Sequence, residues 1–571
     1  MKVSDGTRTR DRLDHNQELY QLSYAHQVAA ESSSETPALL RVSNRGMGRA
    51  DGDGGGGRRL HALASPAVQA ARVVEAPPRA APRVRRARRA PLSRARRPPA
   101  PLLLLLAAVA IATAAWALVV PPFQVPDEGG NFGYVQSLVE DGRRPVKQLP
   151  DGRRPFSYEE QVAEDRSRGV LGLGDPSVKP PWSEAVEQRW ESLTVPATRG
   201  EARENVRTVG PQSDDPPLYY AYEAIPYAAG SGGGFFDRLY LMRLWSGLLM
   251  LVTTAGAWLL IGELTGRDRL LQLAGAACVG LQPMATFVSG GVNADAGLLA
   301  LWSIELWLGV RVLSRGPSRA TVSALVATAV AACLVKTTAL VMIPPLGLVL
   351  LLAARRAGRP HRLGRLHVAA GAAACAAAAV VAVAASRDLA DRILLDAGPG
   401  DLRAFASYLW QYYLPALPGQ QHFTGIDGGQ GWNLWVETAW GAFGWMEVRL
   451  PDALYAALAA LAVLTFAAAA RALARRTVAA TRAALAFLAA SGACLVAGVH
   501  WAEFSQLADG SGPTAQGRYL LPLLPIAGAA VAAALTNLEP RRRPAAVALT
   551  LGGMVALQVV SLAATAGRFY A

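Results

Sequence analysis

The sequence predicts an all-α integral membrane protein of about eleven transmembrane helices, and three observations predict it. Hydrophobic residues make up 51% of the 571 residues, with a mean hydropathy of +0.20. Uncharged apolar runs recur along the chain at about 17–23 residues, the length a helix needs to cross the hydrocarbon core. The runs are solid where a membrane barrel would alternate. Arginines crowd the short loops between alternate runs, while the two long connections are acidic, the asymmetry that orients membrane helices.

Residues 1–99 read as a disordered basic segment. Residues 1–100 hold 19 Lys and Arg against 9 Asp and Glu, and include Gly54–Gly57 and the arginine run at 83–89. Such a composition cannot bury a core. Its arginines sit just ahead of the first span, where they hold the N-terminus in the cytoplasm and meet anionic lipid. No nucleic-acid partner is expected. An upstream start codon assigned in error would give such a leader. No cleavable signal is read, because the apolar run starts late and lacks a small-residue cleavage site.

Residues 100–567 are read as the polytopic domain. Spans are expected near 102–120, 239–261, 270–289, 294–312, 319–335, 338–354, 368–385, 453–470, 483–500, 519–536 and 545–565. The pair around Lys336, Pro344 and Pro345 also reads as a re-entrant hairpin. Alternation from an inside N-terminus places 262–269, 313–318, 355–367, 471–482 and 537–544 in the cytoplasm. Residues 121–238 and 386–452 then lie outside, with 19 acids against 13 bases and 8 against 4. The first loop is too long for a connector. Its Trp182, Trp190, Tyr219, Tyr220, Tyr222 and Tyr227 suit helices lying on the membrane surface. Aromatics of the second loop, Tyr408 to Tyr413 and Trp432, Trp435, Trp440 and Trp445, read as interfacial anchors that also stack on sugar faces. Cys278, Cys333, Cys375 and Cys494 all fall in apolar runs, and no spacing suggests a disulfide framework or a metal site.

Chemistry-bearing residues gather at the outer junctions. Pro121 to Pro126 end the first span and present Asp127 and Glu128 close to the membrane, where carboxylates are costly without a task or partner. A carboxylate there can take a proton from a hydroxyl. Asp215 precedes a proline pair at the end of the first loop, which also reads as a re-entry signal. Asn293 and Asp295 mark a junction where Asp caps a helix or meets substrate. Lys336 stands in an apolar run in a chain with four lysines, so it reads as a buried cation for a partner such as a phosphate. Arg518 opens a later span on the outside, either reaching to the interface or meeting a phosphate or carboxylate. No phosphate-loop or dinucleotide fingerprint is present, which disfavours ATP-driven transport and nucleotide chemistry.

Six segments together resemble a known family. They are Pro121-Pro-Phe-Gln-Val-Pro-Asp-Glu128, Asp215-Pro-Pro-Leu-Tyr-Tyr220, Asn293-Ala-Asp295, Val335-Lys-Thr-Thr338, Phe443-Gly-Trp-Met446 and Gln516-Gly-Arg-Tyr-Leu-Leu-Pro522. Over roughly 100–565 the chain looks like the bacterial polytopic domain of unknown function, family twenty-one forty-two. That family in turn resembles glycosyltransferases of the GT-C type, whose long first extracytoplasmic loop carries surface helices. The resemblance implies transfer of a sugar from a polyprenyl-phosphate donor to a cell-envelope glycan, lipid or protein on the outer side of the bacterial cytoplasmic membrane. It implies Asp127 as base and Glu128 as its neighbour in acceptor or metal binding. Asn131, Asp215, Tyr219, Asn293, Asp295, Lys336, Arg518 and Tyr519 are the expected substrate-binding residues, with Lys336 and Arg518 for the carrier phosphate. Asn131 stands where the family often has histidine, and an amide cannot shuttle a proton. A divalent cation is the one cofactor left open. The rival readings are a transporter or flippase of envelope lipids or glycans, which would show repeated halves, and an inactive GT-C-like scaffold.

Overall fold

The computed structural model describes residues 98–145, 156–171, 183–192, 203, 210–356, 399–420, 423, 426, 431–508 and 513–571. The disorder expected before residue 98 and the span expected near 368–385 lie outside these residues. The helices described belong to one compact unit. Among the described residues the only β pairing is an isolated bridge between Phe443 and Val448.

Helix α1 (Ala100–Val119) is the first span, begun at prolines 99 and 101 and stopped by Pro121 and Pro122. Four helices follow in the first loop: α2 (Glu128–Glu140), α3 (Tyr158–Leu171), α4 (Glu184–Glu191) and α5 (Leu218–Ala229). Helices α6 (Phe235–Ser246) and α7 (Leu248–Leu264) run on as one 30-residue span. Next come α8 (Arg269–Gly280), α9 (Pro283–Ser289), α10 (Ala294–Arg315), α11 (Arg319–Val335) and α12 (Ile343–Arg356). The second loop carries α13 (Pro399–Tyr413) and α14 (Gly431–Trp440), and the last spans are α15 (Asp452–Ala474), α16 (Arg482–Ala508), α17 (Leu524–Leu535) and α18 (Arg543–Tyr570).

Eight helices are long and apolar enough to cross a membrane, or nine if α8 and α9 count as one span. Of the eleven expected, the one near 368–385 lies outside the described residues, and two others fall on this bent pair and on α11. Helices α8 and α9 meet at 59°, because Gln282 caps a new helix whose first residue is Pro283. Helix α11 is apolar but has only 17 residues. Helix α10 is the central one: 78% of its apolar window is buried within the protein, against 17% for α15, whose outward face is left for lipid. Helices α8 and α17 touch backbone to backbone at Gly275 and Gly528, where a Cβ on either would overlap the other's carbonyl.

The junctions sort into the two groups that alternation assigns. At one end Glu263 pairs with Arg311 and Arg315, Ala479 N–H donates to the Leu264 carbonyl, and Thr477 meets Thr536. At the other end the segments around Asp127, Asn293, Lys336 and Arg518 come together. We expect Arg143→Cys, in a background with native cysteines replaced, to react with an impermeant maleimide from outside. Arg541→Cys should react only after permeabilisation; the opposite pattern would invert the orientation.

The first loop has a core of its own, built on Phe132, Tyr134, Tyr220, Tyr227, Phe235 and Leu239. Inside it Glu159 accepts from both Arg238 and Arg203. It is thus a folded cap more than a set of separate surface helices. Several second-loop aromatics are likewise interior. Tyr408 and Tyr413 hydroxyls lie 2.9 and 2.7 Å from the two ring nitrogens of His500, and Trp435 donates to Tyr413.

Candidate functional site

Asp127 sits between the proline-stopped end of α1 and the start of α2. Its φ of 66° is left-handed, a conformation Asp tolerates better than most residues. Phe123, φ 64°, and Met446, φ 64°, share it. A small cleft, part of it open to solvent, adjoins Asp127 and is lined by Pro126, Trp445, Met446, Gln516 and Arg518 among others. Trp445 closes the contact by donating its indole N–H to the Phe123 carbonyl at 3.0 Å. Left-handed non-glycine residues cost on the order of 1–3 kcal/mol each. Three of the five such residues among those described fall where these loops meet.

The carboxylate of Asp127 is 29% exposed, so it can reach a ligand. Its oxygens accept from Arg518 at 3.1 Å and from Gln212 Nε2 at 3.2 Å. Arg518 is buried and lies 5.1 Å from the ring centre of Tyr519. Lys336 Nζ is 2.6 Å from Asp295 Oδ1, and the Lys336 charge is felt by Asp215 and Asp127 as well. The two cations stand at similar turns, Lys336 just ahead of one and Arg518 inside the other. Lys336 and Gln516 are both extended, and each leads into a 3₁₀ turn, Thr337–Met342 and Gly517–Leu523, that opens a span. The result is three carboxylates and two cations at one end of the bundle.

Asn131 is a strut. Its Nδ2 donates to the Val292 carbonyl at 2.9 Å, and its Oδ1 faces the Tyr220 hydroxyl at 3.0 Å. Asn293 caps α10 and donates to the Pro126 carbonyl at 2.8 Å, so it fixes the backbone beside Asp127. Burial pushes the carboxyl of Asp215 up to about 6, against the opposing pull of Lys336 and of its hydrogen bond with Tyr220.

Two expected residues do something else. Glu128 is buried and engaged throughout: Arg243 donates to both its oxygens at 2.7 and 2.6 Å, and the Phe123 and Val292 amides donate at 2.8 and 3.3 Å. No face of it is open to an acceptor or a metal, so its place is structural. Tyr219 meets Ser246 at 3.0 Å; the tyrosine hydrogen-bonded to Asp215 is Tyr220.

Arg243 is the residue the sequence reading passed over. It also donates to the carbonyls of Ala117, Val120 and Pro121, and so caps the end of α1. The signal was there, since a lone arginine in an apolar span invites the same question as Lys336. Gln212, by contrast, carried no signal.

Among the described residues no three His, Cys, Asp or Glu side chains are placed to hold a metal ion. The geometry agrees, because Asp127 and Asp295 are each already paired with a cation. A family model described as predicted membrane protein (DUF2142) matches residues 110–527. No curated protein matches the chain.

Proposed function

From the premise that this chain belongs to the DUF2142 family of predicted membrane proteins, we propose that it is a membrane glycosyltransferase of the GT-C type. It would take a sugar from a polyprenyl-phosphate donor and pass it to a cell-envelope acceptor outside the cytoplasmic membrane. The observation that carries this reading is the pair between partly exposed Asp127 and buried Arg518 at the mouth of the cleft.

The pair supplies both halves of the chemistry. A carriers' phosphate entering the cleft would compete with Asp127 for Arg518, as it would with Asp295 for Lys336. Binding the donor would therefore release the Asp127 carboxylate as it engages the cation. The freed carboxylate takes the proton of the acceptor hydroxyl, the hydroxyl oxygen attacks the anomeric carbon, and the bond to the carrier phosphate breaks. The departing phosphate stays against Arg518 and Lys336, whose charges stabilise it. No step needs a metal.

Lys336→Met keeps the length of the side chain and drops its charge. With Arg518→Gln it should weaken donor binding, each by roughly tenfold or more if a charge-assisted bond of about 1.5–3 kcal/mol is lost. Equilibrium binding of a prenyl-phosphoryl sugar to the protein in nanodiscs reads this out. Unchanged affinity in both variants would move the phosphate site elsewhere. Lipid-linked sugars accumulating in a deletion strain would test the reaction class itself; an accumulated but untranslocated lipid would favour a flippase.

A further inference from the structure

Three hydrogen-bonding groups beside the cleft have a proton count that does not close if all carboxyls are ionised. The Tyr220 hydroxyl is 3.0 Å from Asn131 Oδ1 and 3.0 Å from Asp215 Oδ2. It has one hydrogen to give. Asn131 cannot turn to help, because its Nδ2 is committed to the Val292 carbonyl and a flip would set two oxygens face to face. One contact therefore needs a proton from the other side, and the carboxyl of Asp215 is the group that can bring it.

The surroundings hold Asp215 in place for this. Tyr134 stacks on Tyr220 with ring centres 3.7 Å apart and planes 7° from parallel. Its hydroxyl donates to the Asp215 carbonyl at 3.2 Å, and Arg144 donates to that carbonyl at 3.0 Å. Asp127 and Asp295 are near enough for their charges to oppose a further charge on Asp215, while Lys336 pulls the other way.

We infer that Asp215 and Tyr220 form a proton-binding site in the folded protein, Asp215 being a neutral carboxylic acid that donates to Tyr220 on the acid side of its midpoint and a carboxylate above it, and that this proton sets the charge an anionic ligand meets in the cleft. Tyr220 passes the donation on to Asn131 Oδ1, so both of its hydrogen bonds are made only while the proton is present. Loss of the proton would place a third negative charge beside Lys336 and leave two acceptors on one hydroxyl. The groups that bear on this titration are Tyr220 on α5, Tyr134 on α2, Arg144 after it, Asp127 before it, Asp295 on α10, Lys336 after α11, and Arg518 through its pairing with Asp127.

The direction of the pH dependence follows. Burial raises the Asp215 carboxyl to about 6. A proton held more tightly in the folded than in the unfolded chain stabilises fully below the ordinary carboxylate range, and that stability is lost as pH rises through about 6. Anion binding falls over the same window.

Difference infrared spectra of the full chain in nanodiscs test the proton without reference to any reaction. Wild type should show a carboxylic C=O band that disappears with a midpoint near pH 6 and is missing in Asp215→Asn. Tyr220→Phe should shift the band and the midpoint. A spectrum in which Asp215→Asn removes no such band overturns the inference, as does a band that Tyr220→Phe leaves unmoved. The ligand arm rests on the glycosyltransferase reading. A short-chain prenyl-phosphoryl hexose, whose phosphodiester keeps one negative charge throughout, should bind wild type more weakly as pH rises, by up to about tenfold per unit above the midpoint. Asp215→Asn should abolish that slope. A titrating band with donor binding that shows no slope upholds the proton on Asp215 and overturns its role toward an anionic ligand, whereas a titrating band with no donor binding at any pH is a failure of the transferase reading alone.

Discussion

Asp127→Asn is expected to lower glycosyl transfer by about 10²–10⁴-fold, the range in which a general base contributes. The substitution keeps size and hydrogen bonding and removes only the proton acceptor. Donor binding should hold or tighten, because an amide no longer competes with the incoming phosphate for Arg518. That opposed pair of effects, turnover down and donor affinity up, separates lost chemistry from a damaged loop, which would lower both. The comparison needs equal amounts of folded protein in the membrane. Turnover within about tenfold of wild type would dismiss Asp127 as the base.

Breaking the Glu128–Arg243 pair should have the largest effect on stability. Both side chains are fully buried, and the guanidinium ties Glu128 to three carbonyls at the end of α1. Removing one partner of such a pair leaves an uncompensated charge and costs about 3–5 kcal/mol. Glu128→Gln and Arg243→Met should each lower the denaturation midpoint in detergent by an amount of that order. The double variant should lose less than the sum, since it strands no charge. Additive losses would mean the two side chains act independently.

Much of this architecture was legible because long uncharged runs leave little choice. The runs that became α1, α10 and α15 were found within a few residues, while α16 and α18 run on to Ala508 and Tyr570, past the ends expected at 500 and 565. The bend at Gln282 and Pro283 was not, because hydropathy averages across a helix break. The cluster itself was legible in its members. Asp127, Asp295, Lys336 and Arg518 are charges at the ends of apolar runs, and alternation puts them on one side. Their pairing was not legible. Asp127 and Arg518 are 391 positions apart, and no periodicity reports such a contact. The choice between Tyr219 and Tyr220 is set by how α5 docks on α2, since neighbours on a helix point about 100° apart. Glu128 was misread for a related reason: beside Asp127 in sequence, it points inward to a partner 115 residues away.

That separation of 115 residues also has a meaning in time. A ribosome adding roughly 5–20 residues per second needs about 6–23 s to pass from Glu128 to Arg243. Through that interval the first helix is already available for insertion, while the acid beside its exit has no counter-charge and its last carbonyls have no cap. The chain can seat its first helix early but can fasten it only when the second hydrophobic segment is delivered. The two helices are thus obliged to mature as a pair, and a translational pause between them would prolong the one stage of biogenesis at which Glu128 stands exposed.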